Sequence, residues 1–326
     1  MTLRIGIIGA GVVAAKHANA YRQNPHCQIV AVSEVLPDKG QAFAQSYGAE
    51  FYEDYHELLT RAAVDAVSIC LPHHLHHQAA LAAAKARAHI LLEKPISITL
   101  QEADEIIEIC ARCGVKLMIG FVHRFHGEIL EAKRLIHDGH IGQPATALDS
   151  ICTLGGQHPP AWIWRREFAG GGVLMYGGIH SVDRLRWLIG SEVIEVYARK
   201  LTYCNEADVE DGLTAVLQFK SGAIASLFEN SPSYGKPGGW ITEIYGNLGA
   251  IRIKTGECLE YTSTGLQYTQ TFQTYDHFQR EIDEFVSAIR ENREPWIRGE
   301  DGREALAIAQ AIYESAETGR PVRPTS

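Results

Sequence analysis

Short apolar runs alternate with amphipathic segments along the first 121 residues of the chain. The first run, residues 3–8 (LRIGII), stops at glycines, and the second, residues 28–33 (QIVAVS), stops at an acidic residue. Similar apolar runs occupy residues 65–71, 88–92 and 116–121, and each of them follows a helical segment. Because strands alternate with helices of ordinary length, the pattern predicts an α/β domain with a parallel, doubly wound sheet over residues 1–121.

The pattern changes after residue 121, where helices become fewer. From residue 193 on, strand-like runs follow one another and are joined by turn signals such as Ser221-Gly222. Successive strands with few helices between them predict an open, mainly antiparallel β-sheet with helices on one face. We therefore predict a second, α+β domain over residues 122–326. Because an open sheet face needs cover, we also predict a homodimer or homotetramer formed through this sheet.

Composition and charge narrow the classes of partner. The chain has 30 basic and 39 acidic side chains and a formal net charge of −9, which argues against general nucleic-acid binding. No apolar run reaches the roughly 18 residues that a membrane span needs, and the N-terminus lacks the long apolar stretch of a secretory signal. Seven scattered cysteines suit a reducing compartment. We expect a cytoplasmic protein with neither nucleic-acid nor membrane partners.

A glycine-rich turn follows the first predicted strand and precedes a helix. Its residues are Gly9, Ala10, Gly11, Val12, Val13 and Ala14, a G-x-G-x-x-A motif. Gly9 permits a tight turn, Gly11 lets the backbone approach a pyrophosphate, and Ala14 is small enough for the helix to pack on the strand. The start of the helix offers N–H groups and a favourable dipole to an anion. The sequence therefore predicts a dinucleotide site at this turn, and a dinucleotide-binding role for the first domain.

An acidic residue ends the second predicted strand. Glu34 lies 20 residues after Ala14, where a carboxylate can accept hydrogen bonds from ribose hydroxyls and would repel a 2′-phosphate. This position favours NAD over NADP as the cofactor. The alternative is a solvated glutamate at the end of a strand.

A histidine-rich segment lies beyond another predicted strand, at the sheet edge where ligands of such folds bind. We expect four of its residues near the nicotinamide ribose: Leu71, Pro72, His73 and His76. His74 and His77 are expected to face solvent. Zinc at His73 and His77 would lack a complete local ligand set, as would a metal at the Cys110–Cys113 pair, so we predict no metal site.

The segment Glu93-Lys94-Pro95 follows the apolar run HILL. A lysine at this point is unusual because burial of an ammonium group is costly. Lys94 either pairs with Glu93 at the rim, or binds a substrate hydroxyl and takes part in proton transfer. We expect Glu93 and Lys94 beside the cofactor, with Lys94 in the substrate site as well.

The stretch GGGVLMYGGIHSVD, residues 170–183, opens a helix predicted over residues 173–189. On a regular helix Tyr176, His180 and Asp183 share one face. Three polar side chains on one stripe of an apolar segment indicate a site, with His180 suited to general-base work near neutral pH. The alternative is a core histidine with a capping aspartate. We expect the glycines to let backbone, cofactor and substrate approach closely.

Further residues of the second domain combine aromatic and charged groups in a way that suits a sugar. A tryptophan beside charged side chains fits the apolar face of a pyranose together with its hydroxyls. Arginine also suits a carboxylated or phosphorylated sugar. The predicted substrate-site residues of this kind are His123, Arg124, Trp162, Trp164 and Arg165.

Taken together, these motifs resemble the Gfo/Idh/MocA family, named for glucose–fructose oxidoreductase, inositol dehydrogenase and rhizopine catabolism. The resemblance covers nearly the whole chain and rests on GIIGAGVVAAKH, LLEKP, GFVHRF, the glycine-rich stretch and the segment that begins HFQREIDEF. It departs from the family pattern at His73, where Asn is common, and at Arg87-Ala88, where Gly-Lys is common. It implies an N-terminal Rossmann domain, a C-terminal sheet that pairs face to face in dimers or tetramers, and a last helix packed back on the first domain.

The resemblance also implies a catalytic set: the Lys94 amine, His180 and an acid four residues before that histidine. Here the acid position holds Tyr176, whose unperturbed pKa near 10 makes it a poor anionic partner at neutral pH. Either Tyr176 shapes the pocket while Lys94 and His180 transfer the proton, or Tyr176 donates in the direction of carbonyl reduction. Asp183 aligns with a substrate-binding acid, and either takes sugar hydroxyls or orients His180.

Three functions are consistent with the sequence. The leading one is an NAD-dependent oxidoreductase that transfers hydride between the nicotinamide and a hydroxyl-bearing carbon of a sugar, inositol or sugar derivative. The second is an NAD-requiring glycoside hydrolase or lyase with transient oxidation, which the missing acid at Tyr176 modestly favours. The third is a non-catalytic sensor that binds NAD or a sugar, against which the presence of Lys94 and His180 argues.

Overall fold

A computed structural model describes residues 2–152, 160–203, 206–231, 239–272 and 277–325. The chain forms two compact units. The first joins Met1–Val122 with Asp276–Arg303, and the second joins His123–Tyr275 with Glu304–Ser326.

The first unit is built on a six-stranded sheet in the order β3-β2-β1-β4-β5-β6, with all neighbouring strands parallel. The strands are β1 (Leu3–Ile8), β2 (Cys27–Ser33), β3 (Glu50–Tyr52), β4 (Ala66–Ile69), β5 (His89–Glu93) and β6 (Leu117–Gly120). The helices are α1 (Val12–Gln23), α2 (Pro37–Tyr47), α3 (Tyr55–Arg61), α4 (His76–Lys85) and α5 (Leu100–Cys113). The apolar runs form strands with buried interiors, so the predicted doubly wound sheet is confirmed.

The second unit contains an eight-stranded sheet in the order β14-β13-β12-β11-β7-β10-β9-β8. Its strands are β7 (Pro144–Cys152), β8 (Val193–Leu201), β9 (Gly212–Phe219), β10 (Ile224–Asn230), β11 (Trp240–Gly246), β12 (Gly249–Lys254), β13 (Cys258–Ser263) and β14 (Leu266–Thr271). Neighbouring strands are antiparallel except β7 and β10, which are parallel. Helices α6 (Gly127–His137), α7 (Arg166–Ala169) and α8 (Ile179–Ile189) belong to the same unit. The predicted open, mainly antiparallel sheet is confirmed.

The helix predicted over residues 173–189 consists of two parts. A π-helical turn covers Leu174–Gly178, and α8 continues from Ile179. The predicted helix thus contains a π-helical turn, in which each backbone hydrogen bond spans one residue more than in an α-helix.

The C-terminal part of the chain contributes to both units. Helix α9 (His277–Arg290) packs on α1, and residues 276–303 belong to the first unit. The predicted second domain, residues 122–326, therefore differs from the second unit, because the buried face of α9 lies in the first. Helix α10 (Gly299–Thr318) ends the chain's regular structure, and its residues from 304 on belong to the second unit. None of the helices in the described ranges combines the length and apolarity needed to cross a membrane.

Candidate active site

The glycine turn after β1 has the shape that a dinucleotide requires. Gly9 adopts φ +95°, and a Cβ there would lie 2.4 Å from the Cys70 carbonyl oxygen, so only glycine fits. At Gly11, by contrast, a Cβ would meet nothing within 4 Å. Val12 begins α1 with its side chain 79% exposed, and the first turn of α1 holds no acidic residue. The turn therefore leaves open space at a helix N-terminus, where a pyrophosphate can bind backbone N–H groups.

Glu34 is fixed beside this turn. Its Oε2 accepts hydrogen bonds from the backbone N–H of Ala10 (3.0 Å) and from Lys39 Nζ (2.8 Å), and Oε1 accepts from the N–H of Leu36 (3.3 Å). Burial would raise the pKa of Glu34, but Lys39 and these N–H groups lower it, so the side chain is a carboxylate. Its remaining lone pairs can accept from ribose hydroxyls, while Lys39 offsets part of the charge that would repel a 2′-phosphate.

His76 connects the loops that follow β4 and β5. Its Nδ1 lies 2.7 Å from the Pro95 carbonyl oxygen and its Nε2 2.9 Å from that of Leu71. Burial lowers the pKa of His76, although the two carbonyls favour a charged ring. Both ring nitrogens thus contact the protein's own backbone. A cofactor contact of His76 through a ring nitrogen stays a prediction.

The other histidines of this segment differ in exposure. His73 is buried and His74 is half-buried, next to the half-exposed Leu71 and Pro72. His77, which was expected to face solvent, is buried, and its Nε2 lies 2.8 Å from Glu105 Oε2. The buried face of α4 and the proximity of α5 explain this difference.

Lys94 follows β5, and the Lys94–Pro95 peptide bond is cis. The lysine is half-buried, and its backbone N–H donates to Glu93 Oε2 at 3.3 Å. Burial lowers the pKa of the Lys94 ammonium, and the Glu93 carboxylate opposes that shift. A lysine with a lowered pKa exchanges its proton more readily near neutral pH, as acid–base chemistry requires.

The Glu93 carboxylate itself points into the first unit. It is buried, and its Oε1 lies 3.2 Å from His17 Nε2 on α1. Glu281 of α9 joins the same group, which is the one cluster within the described ranges whose side chains are close enough to share a cation. Neither the His73–His77 pair nor the Cys110–Cys113 pair forms such a cluster there. The cofactor contact predicted for Glu93 stays a prediction.

An aromatic cluster lies in the second unit. The rings of His123 and His180 stack with their centroids 4.1 Å apart and an interplanar angle of 15°. The Trp240 ring lies 4.1 Å from His123 and 5.9 Å from His180. His180 is buried, whereas His123 and Trp240 are half-buried. Two predicted site residues thus meet directly, beside a tryptophan that the sequence did not single out.

A buried arginine fixes the hydrogen bonding of His123. Arg184 on α8 donates to His123 Nδ1, and also to the hydroxyls of Thr242 (2.8 Å) and Thr255 (3.1 Å). Because a guanidinium can only donate, Nδ1 accepts, and the ring proton of His123 lies on Nε2. The guanidinium also lies 3.6 Å from Asp149 Oδ2, which balances its charge.

Arg124 and Asp183, both predicted for the substrate site, form a buried ion pair. Arg124 Nε and Nη2 lie 2.9 and 2.5 Å from the two oxygens of Asp183. Asp183 is therefore held by Arg124, and none of these bonds orients His180. Carboxylate oxygens carry further lone pairs, so hydrogen bonds from sugar hydroxyls stay compatible with the pair.

Tyr176 belongs to the π-helical turn and is half-buried, whereas His180 and Asp183 lie on α8 and are buried. The predicted helix therefore contains a π-helical turn at Tyr176, and the site roles predicted for these three residues stay predictions. The glycines around Tyr176 contact the protein's own groups. A Cβ at Gly172 would lie 1.8 Å from the Glu210 carbonyl oxygen, and one at Gly178 would lie 2.7 Å from Glu229 Cδ. These close approaches involve the protein's own backbone and side chains, and the expected approach of cofactor and substrate stays a prediction.

The tryptophan-rich segment lies at the edge of the described ranges. Trp162 and Trp164 occupy a 3-10 helix (Ala161–Trp164) and are half-buried. The side chain of Arg165 is 60% exposed and pairs with Glu167 at 3.2 Å. Residues 153–159, which precede this segment, lie outside the described residues. The substrate roles of these three residues stay predictions.

Both parts of the chain match known domains. Residues 3–121 match the oxidoreductase family domain described as "NAD-binding Rossmann fold", and residues 133–323 match the family's "C-terminal alpha/beta domain". The chain belongs to the Gfo/Idh/MocA oxidoreductase family. This Gfo/Idh/MocA protein is therefore an oxidoreductase with an NAD-binding Rossmann domain, as the sequence motifs predicted.

Related proteins include enzymes that act on polyols and sugars. The myo-inositol 2-dehydrogenase of Thermotoga maritima is 31% identical over 334 residues, which cover 98% of each chain. The 2,7-anhydro-N-acetylneuraminate hydratase of Mediterraneibacter gnavus is 30% identical over 262 residues, covering 79% of this chain and 68% of that protein. The crystal structure of an aldose-aldose oxidoreductase from Caulobacter crescentus, complexed with glycerol, has a TM-score of 0.90 and 28% identity, covering 99% of this Gfo/Idh/MocA chain and all of the other.

Several polar residues of these clusters were missed by sequence reasoning. They are His17, Asp149, Arg184, Glu229, Trp240 and Glu281. His17 carried a usable signal, because it stands on the apolar side of α1 among alanines. The others contact residues far away in sequence, so no local pattern in the Gfo/Idh/MocA chain marks them.

Proposed function

We propose that this protein transfers hydride between NAD and a hydroxyl-bearing carbon of a sugar, an inositol or a sugar derivative. Lys94 carries the proposal, because it is a half-buried lysine with a lowered pKa in the NAD-binding unit. His180, stacked on His123 in the second unit, is the second acid–base group. The polyol and sugar enzymes among the relatives support this substrate class.

In the proposed reaction, bound NAD supplies the acceptor for the hydride that leaves the substrate carbon. The hydroxyl proton of that carbon passes to neutral Lys94 Nζ or to a ring nitrogen of His180, and the C–O bond becomes a carbonyl. In the reverse direction the protonated group returns its proton to the oxygen as hydride arrives. General acid–base catalysis of this kind contributes about 10²–10⁴-fold to the rate.

The residues around His180 supply the features that a polyol requires. The Asp183 carboxylate, held by Arg124, accepts hydrogen bonds from substrate hydroxyls in this proposal. The half-buried rings of His123 and Trp240 offer an apolar surface for the C–H face of a sugar ring. Trp162, Trp164 and Arg165 complete the proposed substrate site.

We infer NAD as the preferred cofactor. The Glu34 carboxylate lies beside the glycine turn and accepts a hydrogen bond from the N–H of Ala10. A carboxylate there suits the two ribose hydroxyls of NAD and disfavours a 2′-phosphate.

The proposed assembly is a homodimer or homotetramer formed through the open face of the eight-stranded sheet. Large apolar side chains on that face are 40–48% exposed: Tyr197, Val216, Ile224, Phe228 and Tyr245. Strand pairing brings Tyr197 beside Val216 and Phe228 beside Thr214. Light scattering of the purified protein tests this assembly: we expect the double variant Val216→Glu/Phe228→Glu to be monomeric, and a wild-type monomer would contradict it. The six cysteines that lie within the described ranges are free thiols, which supports the proposed cytoplasmic location.

A panel of sugars and inositols tests the proposed reaction through the absorbance of NADH. We expect turnover with NAD on a member of the panel, and a large loss in both Lys94→Ala and His180→Ala. Lys85→Ala, on the exposed end of α4, is a matched control for the loss of a lysine. Full activity of both site variants on the best substrate would show that the site is wrongly assigned.

A second reaction is supported by Tyr176, which replaces the acid of the implied catalytic set. An NAD-requiring hydrolase or lyase oxidises a carbon, eliminates a group from its neighbour and then reduces the carbon again, without net NADH. A relative named as a hydratase has no net redox change in its named reaction. Product release that depends on bound NAD but accumulates no NADH would favour this alternative. NAD affinity with no turnover on any panel member would favour the non-catalytic sensor instead.

A further inference from the structure

Three ionisable side chains meet in the interior of the first unit, on the buried side of the chain segment that carries Lys94. They are His17 of α1, Glu93 at the end of β5 and Glu281 of α9. His17 Nε2 lies 3.2 Å from Glu93 Oε1 and 3.5 Å from Glu281 Oε2. All three are buried, and His17 and Glu281 are fully inaccessible to solvent. Such a group is costly to bury unless its charges balance.

The imidazole of His17 is held on its other side as well. Its Nδ1 lies 3.3 Å from Ser68 Oγ and 3.6 Å from Cys70 Sγ, and Tyr21 Oη lies 2.9 Å from the same serine oxygen. The Phe278 ring packs against the imidazole at 5.7 Å between centroids. The ring therefore has a single position between β4, α1 and α9, with Nε2 directed at the two carboxylates.

The charges of the cluster balance without a further ion. Burial would raise the pKa of Glu93, but His17, Lys94 and His76 hold it low, so Glu93 is ionised. Burial opposes a charge on His17, yet Cys70, Glu281 and Glu93 raise its pKa well above the ordinary value. Burial raises the pKa of Glu281 to about 7. The cluster thus holds a cationic His17, an anionic Glu93 and a glutamate that carries a proton under mildly acidic conditions.

Glu93 links this cluster to Lys94. Its Oε2 accepts the backbone N–H of Lys94, and its charge favours the Lys94 ammonium against the effect of burial. The carboxylate also rests on the bare backbone of β6, since a Cβ at Gly120 would lie 2.8 Å from Glu93 Oε1. Packed between Gly120 and His17, the carboxylate has little freedom to turn away from the lysine.

We propose that Glu93 is the counter-charge that positions the Lys94 ammonium, and that His17 and Glu281 hold its carboxylate from the buried side. Glu93 and His17 are then positioning residues, which act through Lys94 without contact with the substrate. The inference rests on the proposed acid–base role of Lys94.

The pH dependence of kcat/KM tests this arrangement in the NAD-loaded enzyme with its best substrate. Glu93→Gln removes a negative charge next to Lys94 and so lowers the pKa of the lysine. The limb of the pH profile that reflects this pKa is expected to move to lower pH by about one unit or more. His17→Gln removes a positive charge and leaves Glu93 less neutralised, so the same limb is expected to move to higher pH. Further ionisable groups near Lys94 and the cluster are His76, Cys70 and Tyr21.

A matched control is the His77–Glu105 pair of the same unit, which has a similar 2.8 Å contact but a half-exposed carboxylate. Glu105→Gln is expected to leave the limb in place. If Glu93→Gln and His17→Gln lower activity while the limb stays where it is in the wild type, the role is structural and the proposal is wrong.

A second measurement does not depend on turnover. The fraction of Lys94 labelled by an amine-specific acylating reagent, followed by peptide mass spectrometry against pH, reports the lysine's own titration. We expect opposite shifts in Glu93→Gln and His17→Gln even if no substrate is found, so the failure of the proposed function can be told from the failure of this inference. Equal titration curves in all three proteins would overturn it. A stoichiometric divalent cation bound by the purified protein and lost in His17→Gln would also overturn the proton-sharing arrangement.

Discussion

Arg124 and Asp183 form a two-pronged ion pair inside the second unit, with N–O distances of 2.9 and 2.5 Å. Arg124 follows His123 directly in sequence, and Asp183 lies one helical turn after His180. The same two segments therefore meet twice, through the ion pair and through the stacked imidazoles. The pair fixes the positions of two rings that we assign to the substrate site.

Removal of one partner of this pair is expected to destabilise the second unit strongly. Arg124→Met leaves the Asp183 carboxylate buried without its cation, at a cost of about 3–5 kcal/mol in unfolding free energy. Chemical denaturation followed by tryptophan fluorescence measures this cost. Arg165→Met is the matched control: its pair with Glu167 is exposed, so the expected loss is about 0–1 kcal/mol. Similar losses in both variants would contradict the importance of the buried pair.

Glu34 is expected to determine the choice of cofactor. Glu34→Gln weakens the acceptors for the ribose hydroxyls and leaves Lys39, now without its ion-pair partner, near the place of a 2′-phosphate. We expect the ratio of kcat/KM with NAD to that with NADP to fall by about tenfold or more, equivalent to about 1.4 kcal/mol. Lys39→Met should move the ratio in the opposite direction. An unchanged ratio in Glu34→Gln would remove the basis for NAD preference.

Glu281 is expected to make stability depend on pH. Because its pKa rises from 4.5 to about 7 on folding, the folded chain retains a proton that the unfolded chain loses between these values. The stabilisation is therefore complete below pH 4.5 and is lost as the pH rises through 7. The total is at most about 3.5 kcal/mol, at about 1.4 kcal/mol per unit of pKa.

Glu281→Gln cannot ionise, so its unfolding free energy is expected to fall less between these pH values than that of the wild type. Denaturant titrations at a series of pH values measure the two curves. Glu291→Gln is the control, because Glu291 lies directly after α9 and its side chain is exposed. The unfolding free energy of this variant should depend on pH as that of the wild type does. Parallel curves for wild type and Glu281→Gln would show that Glu281 titrates normally.

A substitution of Tyr176 distinguishes the two roles that the sequence left open for this residue. If it only shapes the pocket, Tyr176→Phe keeps kcat within a small factor, because Lys94 and His180 transfer the proton. We expect this result, because Lys94, with its lowered pKa, and His180 already supply groups for the proton transfer. A loss of about 10²-fold or more, the usual size of a general-acid contribution, would assign the proton to the Tyr176 hydroxyl. Steady-state rates in both directions distinguish the two outcomes.

The parts of the fold that depend on local pattern were predictable from the sequence. The turn from Gly9 to Ala14 is encoded by adjacent residues, and so is the change from alternating helices and strands to successive strands. Lys94 and His180 stood out because a polar group followed or interrupted an apolar run. The strand order and the membership of α9 in the first unit depend on packing between segments that are distant in sequence. Local hydrophobic periodicity carries no information about such packing.

The composition of the clusters could not be predicted for the same reason. Trp240 meets His123 across more than a hundred residues of sequence, and Glu281 meets His17 across a larger separation. The π-helical turn at Leu174–Gly178 was not predictable either, because the sequence pattern indicated a regular helix from residue 173 on. Its neighbouring glycines are explained by Glu210 and Glu229, which come from other segments of the second unit.

The most direct test of hydride transfer uses a sugar or inositol substrate that carries deuterium on the reacting carbon. Mass spectrometry of the cofactor after turnover shows where that deuterium goes. We expect it to appear in the reduced cofactor in step with product, and to be absent from the cofactor with Lys94→Ala. Product that forms at full rate with NAD present, while the reduced cofactor contains no deuterium, would contradict net oxidation of the substrate by this protein.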